Sequence, residues 1–178
     1  MTTIIYVIIF GLLAFVIVRV FVKSRGVAVY SSNEEESLTQ MNTVKRNLKE
    51  KWDIVPDSFW IPLHGDVLEN TCYFNTNEFN INFGLKRLCE FINQMEMGKI
   101  YSFDESKVFS QIDKLNIDNY PGLDTYYTNF SAEWIIYITH ENTIAFGGSA
   151  IIEILRTEWI ELDKFINPWE MNRTVNSK

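Results

Sequence analysis

The chain has 178 residues, a net charge of −7 and an aromatic content of 15%. Acidic residues outnumber basic ones by 23 to 16, which disfavours nucleic acid as a partner because nucleic-acid binding depends on clustered lysine and arginine. Two cysteines, Cys72 and Cys89, lie too far apart for a C-x-x-C zinc or redox motif. Their apolar neighbours predict that both are small core residues.

An uninterrupted apolar run extends from Thr3 to Val22, with Arg19 near its end as the only charge. About 20 such residues are needed to cross the hydrocarbon core of a bilayer, so the run predicts a transmembrane helix. Lys23 and Arg25 follow it, and positive flanks stay on the cytoplasmic side. We therefore expect a single-pass cell-membrane protein with its N-terminus outside and its C-terminal domain in the cytoplasm. A cleaved signal peptide is disfavoured because its charges would precede the apolar run. The inverted topology stays open, since only three positive charges decide the orientation.

The apolar run divides the chain into a membrane anchor over residues 1–25, a polar tether over residues 26–37 and a soluble domain over residues 38–178. All 23 acidic residues and 13 of the 16 basic ones follow Arg25, which gives that part a net charge of −10. It is long enough for one domain with its own core. Its acidic balance suits plain solubility or a basic partner protein.

The first predicted element of the soluble domain is a helix from Leu38 to Trp52, because apolar residues recur there at three- and four-residue spacing. Ser37 is its expected N-cap. From Gly65 to Phe83 the pattern is irregular and rich in asparagine, and it predicts only one strand, from Thr71 to Phe74. A second helix is expected from Leu85 to Met95, ending near a glycine.

Two short elements are predicted next. The alternation from Lys99 to Phe103 indicates a strand, and the apolar spacing from Glu105 to Leu115 predicts a third helix. Pro121 and Gly122 are a turn signal.

The clearest local pattern is a hairpin near the C-terminus. The stretch from Glu133 to Thr139 is rich in β-branched and aromatic residues, and a returning strand is expected from Thr143 to Phe146. A last helix, capped by Ser149, is predicted to run to Ile166. A strand from Ile151 to Leu155 is the less favoured alternative. Together these elements predict an α+β domain in which a small, mainly antiparallel sheet packs with three to four helices.

No catalytic residues are predicted, and the candidate metal set is His64 and Asp66 with the distant His140. An H-x-D pair with a second histidine is the ligand set of a two-histidine, one-carboxylate iron site. Enzymes of that kind need a large barrel, and the predicted strands are too few to form one. We therefore expect neither metal nor cofactor, and Asp66 equally suits a turn. The glycines before Ser149 could bind an anion at a helix N-terminus, although a plain turn is favoured.

The candidate binding residues form a stretch in which aromatic and acidic side chains alternate. An aromatic patch with a carboxylate rim is a suitable site for a basic protein. Core packing of the aromatic rings is the favoured alternative. The candidate residues are Tyr120, Asp124, Tyr126, Tyr127 and Glu133.

These observations predict a non-enzymatic, membrane-anchored protein-binding module on the cytoplasmic face. One form of it is an inhibitor or immunity-type protein whose acidic surface blocks a basic toxin or enzyme. The alternative is a small hydrolase or metal-dependent enzyme that uses His64, Asp66 and His140.

Overall fold

The structure is a computed structural model, in which residues 35–56, 58–60, 70–117 and 122–166 are described. The apolar run from Thr3 to Val22 lies outside these residues. In the described part of the chain, no helix is both long and apolar enough to cross a membrane. The chain forms two compact units, Met1–Met41 and Asn42–Lys178, and the whole sheet belongs to the second.

Six antiparallel strands form one sheet in the order β1-β6-β5-β4-β2-β3. The two central strands, β4 and β5, are buried along their whole length. The strands are β1 (Thr71–Asn75), β2 (Ile100–Asp104), β3 (Phe109–Ile112), β4 (Thr125–Asn129), β5 (Ile135–Thr139) and β6 (Thr143–Gly147).

Four helices are present in the described residues, so the predicted α+β class is confirmed. The helices are α1 (residues 35–52), α2 (Thr76–Asn82), α3 (Leu85–Met95) and α4 (Ser149–Glu158), followed by a 3-10 turn at Leu162–Lys164.

The sheet is covered on both faces. On one face, α2, α3 and α4 share a core with alternate residues of the strands, among them Phe74, Ile136 and Phe146. On the other face lies the C-terminal part of α1, where the Trp52 indole donates a hydrogen bond to the Ala132 carbonyl at 2.8 Å. The domain therefore has three layers, with the sheet in the middle.

Several predicted elements are confirmed. The predicted helices at Leu38–Trp52 and Leu85–Met95 are present as α1 and α3. The strand at residues 71–74 and the hairpin strands are β1, β5 and β6. Both cysteines are buried, as predicted. Ser37, however, lies inside α1 and is not its N-cap, because residues 35 and 36 are already helical.

The predicted helix from Glu105 to Leu115 is wrong. Residues 105–108 form a turn in which Lys107 has a φ of 66°, a left-handed conformation that a helix does not contain. The chain then returns as β3, where the Phe109 ring stacks on Tyr101 with a centroid distance of 5.6 Å. Pairing with β2 decides the structure and overrides the apolar spacing of this stretch, which fits a helix.

The predicted C-terminal helix is correct in its first part and too long. Gly148 is the N-cap in place of Ser149, and its φ of +115° is one that glycine adopts without strain. The helix ends at Glu158, and the 3-10 turn follows. Trp159 and Leu162 are nevertheless buried, because this turn keeps them against the core. The alternative of a strand at residues 151–155 is wrong.

The helix α2 was not predicted, although the sequence carries a signal for it. The Asn75 side chain accepts hydrogen bonds from the backbone N–H groups of Asn77 and Glu78, at 3.0 and 3.1 Å. This is the N-cap interaction that asparagine favours. Strand β4 was also missed.

Two residues of α2 test this packing. Phe79 is fully buried against the rings of Phe74 and Phe146, whereas Ile81 is 81% exposed. We expect Phe79→Ala to lower the free energy of unfolding by about 3–5 kcal/mol, because it leaves a cavity in the core. Ile81→Ala, the matched control, should change it by no more than about 0.5 kcal/mol. Urea unfolding followed by tryptophan fluorescence measures both, and equal effects would contradict the assignment of α2.

Candidate functional site

Acidic side chains converge at one end of the sheet, where β2 ends, β4 begins and the β5–β6 hairpin turns. Asp104 pairs in register with Thr125 at the start of β4, and the Glu105 N–H donates to the Asp124 carbonyl at 2.9 Å. Glu141 lies in the hairpin loop. We call Asp104, Glu105, Asp124 and Glu141 the acidic end.

The Asp124 carboxylate joins β4 to the hairpin. One of its oxygens, Oδ2, accepts a hydrogen bond from the Tyr137 hydroxyl at 2.7 Å. The other, Oδ1, accepts one from the His140 backbone N–H at 3.0 Å and lies 2.8 Å from the His140 Nδ1 atom. The side chain of Asp124 is 19% exposed, so most of its hydration is replaced by these bonds. The carboxylate therefore has a fixed position.

The same network changes how its members titrate. The hydrogen bond that the His140 ring donates to Asp124, and the charge of that carboxylate, raise the pKa of His140, with smaller contributions from Glu105 and Glu141. Burial, followed by the hydrogen bond to Asp124, raises the pKa of Tyr137. Tyr137 thus remains a neutral hydroxyl donor, while His140 takes up a proton more readily than an isolated histidine.

A cavity of about 110 Å³ opens beside Asp124. The rings of Tyr126 and Tyr137 stack with their centroids 4.3 Å apart, and Phe59 meets Tyr137 edge-on at 6.1 Å. The Tyr126 hydroxyl donates to the Ser58 carbonyl, which holds residues 58–60 beside the sheet. Phe59 is 56% exposed. The residues that line the cavity are Ser58, Phe59, Asp104, Glu105, Asp124, Tyr126 and Tyr137.

The predicted binding residues are separated by the fold. Asp124 and Tyr126 both line the cavity, with Tyr126 buried. Tyr127 belongs to the core on the opposite face of the sheet, where burial raises its pKa to about 12. Glu133 lies beyond the other end of β4, where its backbone N–H donates to Asn129 Oδ1 at 2.9 Å. Tyr120 lies outside the described residues.

Sequence reasoning missed five of the seven residues that line the cavity, namely Ser58, Phe59, Asp104, Glu105 and Tyr137. Tyr137 becomes a neighbour of Tyr126 only through the β4–β5 register, which pairs the two residues directly. Because β4 was not predicted, no pattern in the sequence joined the two tyrosines. The alternation of β5 alone could have placed Tyr137 on the opposite face from Ile136 and Ile138.

The candidate metal set is only partly described. His64 and Asp66 lie outside the described residues. His140 instead lies with Glu105 and Asp124, and one potential ligand atom from each falls within 4.8 Å of the others. However, His140 Nδ1 and both oxygens of Asp124 already take part in hydrogen bonds. These bonds use three of the about four acceptor positions on Asp124, so the geometry favours a hydrogen-bonded network over a metal centre.

A second, wider cleft of about 630 Å³ lies at the other end of the sheet, beside the start of α4. It contains Ser149, where the sequence allowed an anion site, together with Glu96 and Glu133. The Glu96 carboxylate accepts a hydrogen bond from the Trp134 indole at 3.1 Å. Two carboxylates at this helix start disfavour an anion there, despite the presence of Lys51.

Comparison of the chain with protein-family models, with curated proteins and with solved structures found no match.

The pairing of His140 with Asp124 has a measurable consequence. We expect the pKa of His140 in the native protein to lie above the ordinary value of 6.5 and to fall towards it in Asp124→Asn. Because the folded-state pKa is raised, the pairing stabilises the fold below pH ~6.5, and this contribution is lost as the pH rises through the folded-state pKa. An NMR titration of the histidine ring protons measures the shift.

The control for this titration is Asp113→Asn, which removes an exposed carboxylate paired with Lys99 in the loop after β3. It should leave the pKa of His140 unchanged. His140→Gln identifies which histidine signal is observed. An unchanged pKa in Asp124→Asn would show that the pair does not form in solution.

Proposed function

We propose that this chain is a non-enzymatic, membrane-anchored module that binds a basic protein through its acidic end. The observation that carries the proposal is an exposed aromatic ring, Phe59, beside an aromatic-walled cavity with carboxylates at its edge.

Charge supports a basic partner. Four carboxylates stand at one end of the sheet, and the part of the chain after Arg25 has a net charge of −10. Carboxylates clustered in this way produce a negative electrostatic potential, which steers a basic protein during its approach and raises the association rate. They also exclude acidic competitors, so the acidic end contributes to selectivity as well as to rate.

Exposed apolar side chains supply the second component of an interface. Phe59 and Val108 are 56% and 52% exposed. The Val108 N–H donates to Asp104 Oδ1 at 3.1 Å, which places Val108 at the acidic end. Protein interfaces combine apolar or aromatic anchors with a polar rim, and this surface has both.

The fixed geometry of Asp124 supports the same proposal. Its bonds to Tyr137 and His140 exist before any partner arrives. A surface that is already ordered loses less conformational entropy on binding than a mobile one. The compositional analogy to an inhibitor or immunity-type protein extends this proposal: the acidic end would cover the basic surface of a toxin or enzyme.

The test is recovery of the partner with the full chain in mild detergent. We expect Glu105→Gln combined with Glu141→Gln to lower the amount of partner recovered about tenfold. Each change removes one negative charge from the acidic end, which is the surface that we expect the partner to contact. The control, Glu90→Gln combined with Glu153→Gln, removes two exposed carboxylates from α3 and α4 and should leave recovery unchanged. Equal recovery by both double variants, or a partner without an excess of basic residues, would contradict the proposal.

The proposed anchor is the run from Thr3 to Val22, with the domain in the cytoplasm. Cys72 and Cys89 are buried, so a thiol reagent needs another target. Gln94 is exposed on α3, and Gln94→Cys supplies one. We expect an impermeant thiol reagent to label this variant only after the cells are permeabilised, with the parent chain as the unlabelled control. Labelling in intact cells would place the domain outside.

A further inference from the structure

We infer that the cavity beside Asp124 receives the cationic end of a lysine or arginine side chain from the partner. This inference rests on the proposed function and adds to it which chemical group enters the cavity.

The size of the cavity suits such a group. Its volume is about 110 Å³, several times the space that a single water molecule needs. An ammonium or guanidinium group therefore fits, whereas a folded segment of a partner does not. Phe59, at the edge of the cavity, would contact the alkyl part of the entering side chain.

The walls of the cavity are suited to a cation. The aromatic side chains of Phe59, Tyr126 and Tyr137 line the cavity, and the quadrupole of an aromatic ring attracts a cation that approaches its face. Both tyrosines are buried, so an ion held against them is partly shielded from water. Because the local dielectric constant falls when water is excluded, the attraction between the cation and the cavity becomes stronger.

The carboxylates supply the opposite charge. The two oxygens of Asp124 offer about four acceptor positions, of which Tyr137 and His140 occupy three. Glu105 places a carboxylate oxygen within 4.8 Å of Asp124. No lysine or arginine is present among the described residues that line the cavity. Lys107, in the turn after β2, is not one of them.

Other occupants suit the cavity less well. An anion would be repelled by the carboxylates in the lining, and a neutral apolar side chain would remove water from those carboxylates without replacing its hydrogen bonds. A charge-assisted hydrogen bond from an ammonium or guanidinium group satisfies the carboxylates directly. The chemistry of the lining therefore selects a cation.

The experiment is an NMR titration of the full chain in detergent micelles. The probes are the Nα-acetyl, N-methylamide derivatives of lysine and arginine, and the matched neutral probe is the same derivative of norleucine. We expect the lysine or arginine probe to shift the ring signals of Tyr126 and Tyr137 saturably, with a millimolar dissociation constant. The norleucine probe should produce no saturable shift.

Two variants make the test specific. Glu105→Gln should weaken binding of the cationic probes about fivefold while it leaves the fold unchanged, because Glu105 is exposed. Phe59→Ala should weaken it as well. Glu153→Gln also removes one negative charge, but this residue lies on α4 and does not line the cavity. The variant should therefore bind the probes as the parent chain does. Equal binding by the Glu105 and Glu153 variants would overturn the inference.

The outcome is distinguishable from failure of the proposed function. If no probe binds saturably, or if norleucine binds as well as lysine, the inference is wrong. The recovery of a basic partner and its loss in the Glu105 and Glu141 double variant are measured independently. If a basic partner is recovered but no probe binds, the partner contacts the acidic end without inserting a side chain into the cavity.

Discussion

The burial of β4 and β5 on both faces is the constraint on which the rest of this domain depends. Every residue of these two strands is buried, so each face of the sheet has to be covered by other elements. The core shared with α2, α3 and α4 covers one face, and the C-terminal part of α1 with residues 53–56 and 58–60 covers the other. The buried polar side chains of these strands are paired, as in the bond from Thr128 Oγ1 to the Trp134 carbonyl at 2.6 Å. Pairing of this kind avoids the cost of a buried polar group without a partner.

Because the middle of the sheet is enclosed, polar chemistry is confined to the ends of the strands. Asp124 lies just before β4, and His140 just after β5. The antiparallel register places these two positions next to each other. A single carboxylate therefore links the central strands to the hairpin loop and orders the surface that we propose as the binding site.

The sequence predicted those elements whose pattern is local. The β5–β6 hairpin and helix α3 follow from residue type and periodicity, and both are present. Strand β4 was not predicted, because its sequence TYYTN lacks both an apolar–polar alternation and the run of isoleucines that marks β5. Strand β3 was predicted as a helix, since the spacing of its apolar residues is helical and its pairing with β2 cannot be read from a local pattern.

The site was predictable only in part for the same reason. Asp124 and His140 were both singled out, but as members of separate hypotheses, one for binding and one for metal. Their hydrogen bond joins residues 16 positions apart and depends on β4, the element that was missed. Phe59 carried no signal, because its place beside Tyr137 depends on how residues 58–60 cross the sheet. Local sequence patterns therefore predict individual helices and strands, whereas the cavity arises from the way in which the strands pair.

The physical properties of the acidic end and of the proposed anchor are complementary. Surface charges exposed to water contribute more to the rate and selectivity of association than to its strength. A module that depends on them gains from a high local concentration, which attachment to a membrane supplies when the partner reaches the same surface. The ordered network around Asp124 reduces the entropy lost on binding, and the apolar side chains of Phe59 and Val108 add contact area. Selectivity for a basic partner thus follows from fixed charge beside an exposed aromatic ring, and it requires no catalytic step.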